Sequence, residues 1–150
     1  MTYYDTAFLA KCYLREPGHE IVRAHAGRVG RIACCAVGRV ELMSVFHRHF
    51  REGRLDRRQF GIVVEQFRAD EAAGIWRWLP VGPALLEEAA GCFGGLSPEV
   101  YLRAADALHL MCAKLAGLEE IYTNDRHLLT ASGFVGLRGR NLLAEAAPRD

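Results

Sequence analysis

The chain has 150 residues, 51% of them hydrophobic, and a formal charge of +1. That is enough for one domain over residues 1–150, undivided by any linker, repeat or low-complexity tract, and the near-neutral total speaks against a general nucleic-acid binder. No apolar run approaches the roughly 20 residues of a membrane span and the N-terminus lacks signal-peptide features, so a soluble, cytoplasmic protein is expected.

Taken in order, "TYYD" (Thr2 to Asp5) is aromatic and β-prone, and predicts a first strand. "TAFLAKCYL" has helical spacing, and Pro17 suits the first turn of a second helix running to about Gly27. "RIACCAV" (Arg31 to Val37) is an apolar run of strand length. Val40, Met43, Phe46, His47 and Phe50 then fall at helical spacing, with Gly53 as the stop. Asp56 suits the N-cap of another amphipathic helix, and Ile75 to Val81 alternates as a third strand. "GPALLEEAAGCFG" predicts a short helix. "LSPEVYLRAADALHLMCAKLAG" predicts a long one, with Ser97 as N-cap, Pro98 in the first turn and Gly117 as the stop. "EEIYTND" predicts a fourth strand, "RHLLTASG" a short helix and "FVGL" a fifth strand. This alternation implies an α/β fold with a mostly parallel sheet of four to five strands and helices on both faces. Ligands then bind at the carboxyl ends of the strands.

Four acids fall where that rim should be. Asp5 ends the first strand, Asp125 follows the fourth, and Glu41 lies early in the helix after the second. Asp106 is expected about two turns into an apolar helix, where an unpaired carboxylate is costly. Each has a structural alternative. Asp5 and Asp125 could cap the helices that follow them, Glu41 could pair with Arg39 or Arg48, and Asp106 could be tied to Arg103 or His109. Together they raise one another's pKa unless a cation is shared, and oxygen ligands without paired His or Cys suit Mg²⁺ or Mn²⁺. Such an ion orients a phosphodiester and activates water.

These residues resemble PIN-domain ribonucleases, in particular the VapC-type toxins of VapBC toxin–antitoxin pairs. The resemblance rests on "YYDTAFLAKCYLREPG", "RVEL", "LRAADALHL" and "YTNDRHL", in that order between Tyr3 and Leu128. It implies a three-layer α/β/α sandwich with a PIN-like sheet, and an Mg²⁺- or Mn²⁺-dependent endoribonuclease leaving a 5′-phosphate and a 3′-hydroxyl. It further implies a homodimer inhibited by a cognate VapB-like antitoxin. Asp5, Glu41, Asp106 and Asp125 are then the catalytic and metal-binding set. Asp5 and Asp106 are direct ligands, Glu41 completes them, and Asp125 acts through water or on a second ion. Thr6, Thr123 and Asn124 support them. Two positions depart from the family's pattern: Cys35 stands where Ser or Thr is common, and Ala7 where Ser is common. Both changes remove hydroxyls that could orient the carboxylates.

Other features carry less. Arg48, Arg51 and Arg54 are candidate RNA-phosphate contacts, though a solvated charged face explains them as well. His47 and His49 diverge on a helix, and His109 reads as a core histidine able to reach a carboxylate. Trp76 and Trp78 read as core and cover. Five cysteines without a Cys-x-x-Cys motif read as reduced thiols. A phosphatase would need a second acid two residues after Asp5, where Ala7 stands. A non-catalytic PIN-like domain binding RNA or protein is the alternative from another class.

Overall fold

Five short strands pair in parallel: β1 (Thr2–Tyr4), β2 (Ile32–Cys35), β3 (Trp76–Leu79), β4 (Glu120–Tyr122) and β5 (Arg138–Arg140). Their spatial order is β3-β2-β1-β4-β5, so the first strand is central and the order reverses between β1 and β4. The computed structural model describes residues 1–146; residues 147–150, included in the single-domain expectation, lie outside the described residues.

Alternating side chains divide the core between the two sheet faces. Tyr4, Ile32, Cys34 and Tyr122 point to one face, and Tyr3, Ala33, Cys35 and Ile121 to the other. The first face is covered by α1 (Thr6–Tyr13), α2 (His19–Ala26), α3 (Val37–Arg51), α4 (Arg57–Ala72) and α8 (Leu142–Glu145), through residues such as Phe8, Val22, Phe46, Phe67 and Leu142. The second is covered by α5 (Pro83–Gly95), α6 (Ala104–Leu115) and α7 (Arg126–Phe134), through Leu85, Leu110, Met111 and Leu128. The result is the α/β/α sandwich expected. Among the described residues no helix is long and apolar enough to cross a membrane.

Most caps act as their sequence implies. Asp56 and Gln59 form a reciprocal capping box at α4, and Pro83 opens α5. Pro17 instead precedes α2, which begins at His19. The helix expected from Ser97 begins only at Ala104. Ahead of it, Val100 and Leu102 pack on the core while Tyr101 and Arg103 are exposed, a period-two alternation that holds the chain extended. Asp106 therefore lies in the first turn of α6 and not two turns in. The fifth strand is also displaced, from Phe134–Leu137 to Arg138–Arg140. The amides of Val135, Gly136 and Leu137 close the end of α7, and the ladder starts with Arg138 N–H donating to the Glu119 carbonyl. The short α8, capped by Asn141, was not anticipated.

Candidate active site

β1 and β4 end side by side where the strand order reverses, the position at which open α/β sheets form a crevice. Asp5 leaves β1 there and caps α1. Its Oδ1 accepts the Phe8 N–H at 2.9 Å, and its Oδ2 accepts the Thr123 hydroxyl. Thr123 is fully buried after β4, and its oxygen also accepts the Asp125 N–H at 2.9 Å. Asp125 caps α7 with Oδ1, accepting from His127 at 2.8 Å and Leu128 at 3.3 Å. The two cap readings thus hold, and each cap occupies one carboxylate oxygen.

Asp106 is buried, yet its position in the first turn of α6 sets it near the positive end of the helix dipole. Its partner is Arg103, whose Nε donates to Oδ2 at 2.7 Å and whose Nη2 reaches Oδ1 at 3.4 Å. The same Nη2 donates to Asp125 Oδ2 at 2.6 Å, so one exposed guanidinium bridges two acids.

Glu41, in the second turn of α3, pairs with neither Arg39 nor Arg48. Its Oε2 accepts the Thr6 hydroxyl at 2.5 Å and faces His109 Nε2 at 2.9 Å. Gly38 makes this possible: a Cβ there would stand 2.6 Å from Cys34 Sγ and 3.2 Å from Thr6 Oγ1. Behind His109 lies Tyr3, whose hydroxyl is 2.8 Å from Nδ1 and accepts the Cys35 N–H at 3.0 Å. His109 therefore serves Glu41 and not Asp106. Spacing pointed only to the nearer acid, because Glu41 and His109 are 68 residues apart in sequence.

Asp5, Thr6, Glu41, Arg48, Arg103, Asp106, His109 and Asp125 line one cavity of about 570 Å³. Arg48 shares the cleft-facing side of α3 with Glu41 and Ser44. Arg54 lines a neighbouring cavity of about 590 Å³ and pairs with Glu52 at 3.3 Å. Arg51 and Asn124 are exposed and line neither cavity. Glu16 lines both, held by buried Lys11 at 3.2 Å and His49 at 3.0 Å, a cluster the sequence did not single out.

The electrostatics differ from acid to acid. Burial pushes the Asp5 carboxyl up to about 6, against the hydrogen bonds from Thr123 and Phe8. At Glu41 burial acts in the same direction, but His109, Thr6 and Arg103 outweigh it and hold the carboxyl below its usual value. At His109 burial disfavours an imidazolium, but Cys34 and Glu41 outweigh it and raise the ring above its usual value. The Cys34 contribution requires a thiolate, and burial keeps that thiol protonated. Among the described residues, no three His, Cys, Asp or Glu side chains enclose an ion site as they stand. The cation bridging Asp106 and Asp125 is Arg103. The donor set facing the cleft is nevertheless all carboxylate oxygen, the chemistry of a hard divalent ion.

A family model described as PIN domain matches residues 2–133. Among solved structures, the chain is similar to FitAcB from Neisseria gonorrhoeae, with a TM-score of 0.75 and 18% identity over 95% of this chain and 98% of that one. It is similar to VapC20 of Mycobacterium tuberculosis, a sarcin-ricin loop cleaving toxin, with a TM-score of 0.70 and 18% identity over 92% and 99%. It also matches a toxin–antitoxin complex from Klebsiella pneumoniae, with a TM-score of 0.58 and 16% identity over 86% and 90%. At these identities the likeness is one of fold. No curated protein matches the chain in sequence.

Proposed function

The chain belongs to the PIN domain family, and from that premise we propose that it is a Mg²⁺- or Mn²⁺-dependent endoribonuclease, the toxin of a VapBC-type pair. The observation that supports this reading is the convergence of four carboxylates from four separate segments on one cleft. Asp5 and Asp106 would hold the ion directly, with Glu41 completing its shell and Asp125 acting through water or on a second ion. When bound, such an ion stabilises charge developing on the phosphate and acidifies the attacking water.

The chain's own residues orient these groups. Thr123 fixes one oxygen of Asp5, and Thr6 fixes one oxygen of Glu41. Arg48, on the cleft wall, is positioned to meet an RNA phosphate; Arg51 and Arg54 lie off that wall and would meet the strand farther out. The toxin–antitoxin complex among its structural neighbours supports a VapB-like antitoxin as partner, and a cytoplasmic homodimer belongs to the same reading.

Asp5→Asn tests the proposal. RNA cleavage with Mg²⁺ is expected to be lost, and undiminished cleavage overturns the metal-site reading. The Arg103 bridge favours a second reading, a non-catalytic binding domain whose acids are satisfied within the protein. Calorimetric titration with Mn²⁺ separates the two, since only the nuclease takes up the ion.

A further inference from the structure

Cys35 stands where a hydroxyl is common in the family, which raises the question of what orients Glu41 in this chain. Thr6 supplies one hydrogen bond. The other comes from a histidine whose orientation is fixed by a chain of buried contacts. Tyr3, on the central strand, is fully buried, and its hydroxyl has two partners, the Cys35 N–H and His109 Nδ1. The Cys35 N–H donates to the phenolic oxygen, so the phenol's own proton is left for Nδ1. With Nδ1 protonated, the phenol's proton would be left only the Cys112 thiol, a far weaker acceptor than an imidazole nitrogen. The ring therefore turns Nδ1 to the phenol and Nε2–H to Glu41 Oε2 at 2.9 Å. Thr6 and His109 both engage Oε2, and among the described residues no protein group bonds Oε1.

We infer that Tyr3 and His109 form a relay that positions Glu41: Tyr3 holds the ring at Nδ1, His109 Nε2–H fixes one carboxylate oxygen, and the other is presented to the cleft. The inference rests on the proposed metal site only for what that free oxygen does. It makes His109 a positioning residue. Outer hydrogen bonds of this kind typically change metal affinity 10–100-fold.

The test uses the metal-free, ¹⁵N-labelled chain. Long-range ¹H–¹⁵N spectra, with the His109 signals identified by their loss in His109→Gln, are expected to show Nε2 protonated and Nδ1 unprotonated. In Tyr3→Phe the Nδ1 signal should shift as that nitrogen loses its donor. A proton on Nδ1 in the native chain, or an unchanged Nδ1 signal in Tyr3→Phe, overturns the relay. Titration with Mn²⁺ reads its consequence. His109→Leu is expected to bind at least about tenfold more weakly, and His109→Gln, which keeps an amide N–H near the Nε2 position, should recover most of that loss. Equal affinity in the Leu variant and the native chain overturns the positioning role, as does a Gln variant no better than Leu. If the native chain takes up no Mn²⁺, the functional proposal fails, while the tautomer measurements still decide the relay.

Discussion

The two walls of the cleft hold their carboxylates in opposite ways. On the Glu41 side the holding groups are buried in the core: the Thr6 hydroxyl, the His109 ring and the Tyr3 phenol behind it. On the Asp106–Asp125 side the two acids are tied together by a single guanidinium whose side chain is 53% exposed. Buried hydrogen-bond chains are expensive to break because each loss leaves a dry polar atom, whereas an exposed ion pair yields at little cost. One wall is therefore rigid by construction, and the other is held by a cation that water can replace.

The largest effect should come at Asp5, between the two walls. Burial raises its carboxyl to about 6 from an ordinary 3.8, so the fold disfavours the ionised form. Without divalent ions the native chain should lose stability as pH rises from about 4 through about 6, and Asp5→Asn should not. At pH 8 the Asn variant is expected to gain about 3 kcal/mol on the native chain, at 1.36 kcal/mol per pKa unit, with the gap closing by pH 4. Urea denaturation in chelator across that range checks it. Parallel curves for the two proteins would show that burial does not govern this acid.

A smaller effect is expected from Gly38→Ala. The added methyl meets Cys34 and pushes Thr6 from Glu41, an overpacking cost of about 2 kcal/mol in denaturant melts. No loss would mean that the rigid wall gives more easily than its packing implies. Smallest of all, Arg103→Gln should change stability by under about 1 kcal/mol, and the difference should fade in high salt. A salt-independent loss of several kcal/mol would erase the contrast between the walls.

The strands, most helices and three cap residues were legible because they depend on local spacing. Asp5, Asp56 and Asp125 cap the helices their positions imply. The reading failed where two periods overlapped. "SPEVYLR" contains good helix-start signals, yet Val100 and Leu102 each reach the core, and burial of alternate residues prevailed over capping. That same extended stretch brings Arg103 to the cleft, so its pairing with Asp106 was foreseen but its hold on Asp125 was not. Asp5 and Asp125 fall on the rim by the order of the strands, and Asp106 stands out as a carboxylate in an apolar helix. The Tyr3–His109–Glu41 chain was missed because its members belong to three elements, and no local pattern records which of them meet.

The central position of β1 also sets a schedule. During synthesis its first edge can be filled once β2 has emerged, but the other waits for β4, more than eighty residues later. Until then Asp5 has neither Thr123 nor Asp125 beside it. A ribosome can therefore carry most of this chain before any working cluster of acids exists, so the cleft is assembled in one late event.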